Sequence, residues 1–205
     1  ATGGNWQPSG TPVSTDWVYR VASGNAALNA DFTIDSLTVR LNAGGTYQLN
    51  ADASGPYADF GVTLNQTGLG GVTNALAVIG TGAVFRAGDN AGNRARTSII
   101  LGGANTDFSF LVGSGNTLWL SDGSGTSEGR VEGAGKNLAL NGTGTYIFDT
   151  ANTFGGVGNT VTLNGGTLEI NHANALGNAN NTFIINSGTI DNNSTGAVTI
   201  AGNAQ

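Results

Sequence analysis

The sequence predicts an all-β chain wound as a β-solenoid, with about eight or nine coils of roughly 22 residues behind an irregular N-terminal cap. Three observations predict it. Apolar residues alternate with polar ones at period two in many short runs, as in Leu138/Leu140, Val161/Leu163 and Leu168/Ile170, the mark of a strand with one buried face. One corner signature recurs: an apolar residue, Asn, a Gly-containing turn, Thr and a second apolar residue. Helix signals are almost absent, with no 3.6-residue apolar stripe and no cap followed by an amphipathic run.

The corner signature appears as Leu41-Asn42-Ala43-Gly44-Gly45-Thr46-Tyr47 and returns at Leu140–Tyr146, Leu163–Leu168 and Ile185–Ile190, with a looser copy at Leu64–Gly68. From 41 to 64 and from 140 to 163 the step is 23 residues, and from 163 to 185 it is 22. Ile79, Leu101 and Leu120 fit the same series with more scatter. Glycine supplies the positive φ of a tight corner. Asparagine tolerates the left-handed region, and its amide can bond the copy in the next coil. Thr and Val suit the strand that follows. No strand this short is stable alone, so the copies must stack. Each inward Leu, Ile or Val then contributes about 1.5–3 kcal/mol on leaving water.

Taken in order, residues 1–24 are the least regular. They hold Trp6 and Trp17 among Pro, Gly and Ser, with Trp17–Val21 as an edge strand. They are read as a cap or inter-subunit segment, because an open solenoid end exposes backbone donors and apolar side chains. The solenoid occupies residues 25–205. Its middle, 66–116, is less regular, and Gly88–Arg96 is a polar excursion. In Thr117–Ser121 the leucines should face in and Trp119 out. Near the end, Val198 and Ile200 lie in a strand-like run with no evident polar cap, a template for another strand.

Of the 205 residues, 35 are Gly and none is Cys or Met; charged residues make up 10% and the net charge is −6. Seven basic residues against thirteen acidic ones argue against nucleic-acid binding. No apolar run approaches the roughly 20 residues of a transmembrane helix. Without Cys, packing and backbone ladders supply the stability. The polar, Gly-rich start fits a mature secreted chain or an excised fragment.

The stretch 138–171 resembles the autotransporter-associated β-strand repeat, the passenger repeat of bacterial autotransporter-like surface proteins. The resemblance rests on Leu138–Tyr146, on Ala151-Asn152-Thr153-Phe154-Gly155-Gly156 and on Thr160–Ile170. Phe154 stands where the family pattern usually has Tyr, and Asn25–Asn50 and Thr182–Ile200 look like weaker copies. The resemblance implies a right-handed parallel β-helix, exported to the outside of a bacterium and often part of a much longer chain. It carries over no catalytic residues.

Candidate chemistry is weighed against plain structural roles. His172, the single histidine, is read as a corner residue. The carboxylate pairs Asp31/Asp35, Asp52/Asp59 and Glu128/Glu132, with the basic cluster Arg86, Arg94 and Arg96, are the candidates for a polysaccharide-active enzyme. That reading ranks last, and no catalytic site, cofactor or resident metal is expected. Calcium is a candidate ligand at Asp149/Asn152 or Asp191/Asn192/Asn193, where Asx-turns are favoured instead. Among the aromatics, Trp119, Tyr47, Tyr57 and Tyr146 are candidates for stacking on sugars, with Tyr146 equally suited to face inward. The expected function is structural: a secreted or cell-surface β-solenoid that stacks head to tail on copies of itself, or continues in a longer parent chain, to build a fibre. Trp6, Trp17, Val198 and Ile200 are the assembly residues in this reading. The alternative is an adhesin passenger that binds glycans, with Trp119 as the contact.

Overall fold

The computed structural model describes residues 17–20, 23–28, 30–51, 59–68, 73–88, 96–121, 128–200 and 202. The fold is a parallel β-helix. The first coil holds β1 (Trp17–Arg20), β2 (Gly24–Leu28) and β3 (Phe32–Ile34); the second β4 (Ser36–Leu41), β5 (Gly45–Ala51) and β6 (Phe60–Leu64). The third holds β7 (Leu76–Gly80), β8 (Ala83–Ala87) and β9 (Thr97–Leu101); the fourth β10 (Asp107–Val112), β11 (Thr117–Leu120) and β12 (Gly129–Ala134). The fifth holds β13 (Asn137–Gly142), β14 (Thr145–Phe148) and β15 (Thr153–Gly155). The last two carry two strands each: β16 (Thr160–Leu163) with β17 (Thr167–Ile170), then β18 (Thr182–Ile185) with β19 (Thr189–Asp191).

Strands in the same position of successive coils pair in parallel. The first sheet runs β1-β4-β7-β10-β13-β16-β18, the second β2-β5-β8-β11-β14-β17-β19 and the third β3-β6-β9-β12-β15. The first two faces therefore hold seven strands each, so the described residues form seven coils where eight or nine were expected. The reason lies in coil length. In the first sheet, register joins Leu37, Leu76, Phe110, Leu140, Leu163 and Ile185. Their separations are 39, 34, 30, 23 and 22 residues. The compact repeat is thus a property of the last coils. Leu41 and Leu64 are not equivalent: Leu41 pairs with Gly80 in the first sheet, whereas Leu64 pairs with Ile34 and Leu101 in the third. Ile79, Leu101 and Leu120 likewise belong to three different sheets.

The corner signature keeps its meaning despite this. Its four full copies all sit between the first sheet and the second. Tyr47, Phe85, Leu118, Tyr146, Leu168 and Ile190 then stack in one inward column. With Leu37, Leu76, Phe110, Leu140 and Leu163 on the first face and Val62, Ile99 and Val131 on the third, these columns line a continuous core. Leu118 and Leu120 are fully buried and Trp119 faces outward, as the alternation predicts.

Tyr47 and Tyr146 both point inward, which removes them as sugar-stacking candidates. Tyr47 stacks on Phe85, with ring centroids 6.1 Å apart. The Tyr146 hydroxyl accepts from the Val112 amide at 3.1 Å and meets the Asn141 carbonyl at 2.5 Å and the Phe110 carbonyl at 3.0 Å. A buried phenol needs such partners, and burial raises its pKa well above the usual tyrosine range, so it stays a neutral donor.

Asparagine amides tie the coils together in ladders. Asn164 Nδ2 donates to Asn141 Oδ1 at 2.9 Å, and Asn186 Nδ2 to Asn164 Oδ1 at 2.7 Å. A second ladder joins Asp107, Asn137 and Asn159, at 2.7 and 3.1 Å. At the inner corners, buried Asn152 accepts from the Val131 amide and donates to the Ala175 carbonyl.

Among the described residues strand pairing begins at Trp17: β1 pairs with β4, inside the stretch drawn as residues 1–24. Trp6, Tyr57, Asp52 and Arg94 lie outside the described residues.

Candidate functional site

The outer face of the second sheet carries a cluster of unlike side chains. Strand alternation sets one outward column there, and register stacks Gln48, Arg86, Trp119, Ile147, Glu169 and Asp191 one above another. Just past the strands, at the following corner, Asp149, Asn171 and Asn193 recur at steps of 22 residues. Asp149 Oδ1 accepts from Asn171 Nδ2 at 2.7 Å, and Asn171 Oδ1 accepts from the Asn193 amide at 2.8 Å. This third ladder forms one wall of a cleft of about 460 Å³, whose floor and opposite side include Trp119, Ile147 and Glu169.

Trp119 is held from two directions. Its indole Nε1 donates to Asp149 Oδ2 at 2.6 Å. The Arg86 guanidinium lies over its ring, 4.3 Å from the centroid, a cation–π contact. Arg86 Nη2 in turn donates to Ser121 Oγ at 2.6 Å. The indole is therefore a fixed wall of the cleft.

Glu169 faces the same space. Its Oε2 is shielded from solvent with no hydrogen-bond partner. Desolvation raises its pKa above the ordinary carboxylate value; the Asn193 side-chain hydrogen bond opposes the rise, and the charges of Asp191 and Asp149 add to it.

The other candidate residues are dispersed into structural contacts. Asp31 Oδ1 accepts from the Gly61 amide at 2.7 Å. Buried Asp35 accepts from the Thr67 amide and hydroxyl, at 2.7 and 2.5 Å. Both carboxylates therefore staple one coil to the next. Asp59 and Glu128 pair with Arg96, at 3.8 and 3.4 Å, and Glu132 pairs with Arg130 at 2.7 Å and accepts from Ser98. The basic cluster is split, since Arg86 sits on the second sheet while Arg96 opens onto the third. His172 sits at a corner, its Nδ1 accepting from the Asn174 amide at 3.0 Å.

The calcium candidates do not assemble. Asp149 faces the cleft while Asn152 is buried at an inner corner; Asp191 accepts from the Asn192 amide, and Asn192 closes an Asx-type turn onto the Ser194 amide. Among the described residues, no three acidic or imidazole side chains converge as metal ligands would.

A second feature lies at the seventh coil. Ile185 and Ile190 are 45% and 41% exposed, although Leu163 and Leu168 directly beneath them are fully buried. Val198 and Ile200 pack partly against the core there, and with Ile170 and Ile190 they line an apolar recess of about 270 Å³. Trp17 lies at the opposite edge of the first sheet, in β1.

Of these features, sequence reasoning found Trp119, Val198 and Ile200. It missed that Asp149, Glu169 and Asn171 converge on Trp119. The signal was present in the 22-residue steps 147–169–191 and 149–171–193, which mark outward positions as faithfully as inward ones. Comparison with family models, with curated proteins and with solved structures gives no match.

Proposed function

We propose that the protein is a structural β-solenoid that stacks end to end on copies of itself to build an extracellular or cell-surface fibre. The observation that carries this reading is the exposure of Ile185 and Ile190 in columns that are otherwise buried along the rod. Beside them, β18 and β19 stand last in their sheets among the described residues. At the other end, β1 and β2 stand first in the same two sheets among the described residues. A second copy placed head to tail continues both sheets in parallel.

The corner geometry supports such a join. The chain takes five residues from Ile185 to Ile190 and six between the corresponding first-coil positions, Val18 and Gly24. In the second coil the same step, Leu37 to Tyr47, takes ten. The two ends thus present corners of nearly equal span. Each isoleucine is already more than half covered, so covering the rest contributes about 1 kcal/mol, and the contact is heterologous, the type that propagates into filaments. Placement outside the cell draws on the resemblance to the passenger repeat.

Sedimentation velocity across a concentration series tests the stacking. The expected result is a ladder of oligomers that grows with concentration and collapses to monomer in an Ile185→Arg/Ile190→Arg variant with an unchanged circular dichroism spectrum. A parent protein that stays monomeric at millimolar concentration, or a folded variant that assembles equally well, overturns the reading.

A further inference from the structure

We propose that the cleft beside Trp119 binds a cationic amino-sugar oligosaccharide, with a pyranose ring on the indole and an ammonium group at Glu169. The inference is independent of end-to-end stacking, since it concerns the side of the rod.

The chemistry of the walls selects the ligand. A pyranose offers an apolar C–H face and a rim of hydroxyls. The indole supplies a flat apolar surface whose orientation is already fixed by Asp149 and Arg86, so little ordering cost remains on binding. The corner ladder of Asp149, Asn171 and Asn193 supplies acceptors and amide groups along one side, and Ser194 adds a hydroxyl. A cleft with an apolar wall and a few convergent polar groups is the usual form of a small-ligand site.

Charge narrows the class further. Asp149 and Asp191 stand close enough for their charges to act on Glu169. Asp149 is already served by Trp119 and Asn171. Glu169 lines the cleft beside the Asn193 side chain. An ammonium group in the cleft pairs with its carboxylate and relieves the carboxylate repulsion. The same field repels uronic, sialic and sulfated sugars. The cleft runs from the coil of Trp119 to that of Asn193, three rises of about 4.8 Å, so a short oligomer lies along the rod axis. A lysine-rich peptide would satisfy the carboxylates but would leave the indole and the amide ladder without matched partners.

Isothermal titration calorimetry on the full chain, with the glucosamine tetramer, its fully N-acetylated counterpart and tetralysine, tests the proposal. The glucosamine tetramer should bind at pH 6, and more weakly as salt is raised. The N-acetylated tetramer and tetralysine should each bind at least about tenfold more weakly, the equivalent of one lost charge-assisted contact. Trp119→Ala and Glu169→Gln should each weaken glucosamine binding by about tenfold or more. Glu169→Gln is nearly isosteric, so it decides the matter if Trp119→Ala fails to fold. No heat with the glucosamine tetramer overturns the proposal. So does equal binding of the N-acetylated tetramer or of tetralysine, or unchanged affinity in folded Glu169→Gln.

Discussion

Asparagine does two different jobs in this protein, and burial separates them. Asn164 sits in an exposed ladder, where water can replace each amide bond. Asn152 is buried, and its amide is the partner of the Val131 N–H and the Ala175 carbonyl. Truncating it strands two buried backbone groups, at about 1–3 kcal/mol each. Chemical denaturation should therefore show Asn152→Ala destabilised by several-fold more than Asn164→Ala, whose loss should stay near 1 kcal/mol. Glu169 adds a pH dependence. Its folded pKa is raised, so the native state holds the proton more tightly than the unfolded chain. Its contribution to stability therefore improves as pH falls through that raised value, and the ionised form is a penalty at neutral pH. Thermal melts should find Glu169→Gln more stable than the parent at pH 7, with the gap closing as pH falls towards the ordinary carboxylate value. These roles were half legible in the sequence. The Leu-Asn-Gly corners announced the exposed ladder, but Asn152 and Glu169 acquire their meaning from neighbours about twenty residues away.

At the scale of the element, the unit is a strand, a tight corner and a second strand. The corner after β16 shows why glycine is needed. Gly166 has φ +75°, and a Cβ there would stand 2.3 Å from the Gly144 carbonyl oxygen of the coil below. That carbonyl accepts from the Thr167 amide at 3.0 Å, so it cannot simply move aside. Gly166→Ala should lower the denaturation midpoint by the equivalent of at least 1–3 kcal/mol, the usual cost of such backbone strain. The corner motif was the most legible feature of the chain. It placed four copies at the same edge of the prism, and the period-two pattern correctly turned Leu118 inward and Trp119 outward. It failed on Tyr47, which the pattern left outward and the core took. The reason is a column of large apolar side chains stacked on one side of it, beginning with Phe85, that single-strand alternation does not reveal.

For the whole molecule, coil length is the property the sequence disguised. A parallel ladder fixes the rise at about 4.8 Å but leaves the perimeter free, so extra residues can enter a coil as loops without disturbing the column above. The early coils are longer, with register separations of 39 and 34 residues, so the 23-residue step from Leu41 to Leu64 falls within a single coil. Seven coils make a rod about 30 Å long, with a cleft on its flank and two isoleucines uncovered at one end. The proposed stacking uses the end of the rod and the proposed binding its flank, so the two proposals do not compete.

The stacking account is tested most directly by electron microscopy of the concentrated protein. It predicts unbranched filaments whose axial power spectrum shows a spacing of about 4.8 Å running unbroken through subunit boundaries, with a subunit repeat that is a whole number of ladder rises. Isolated particles at every concentration, or filaments whose repeat bears no relation to a whole number of coils, would contradict it.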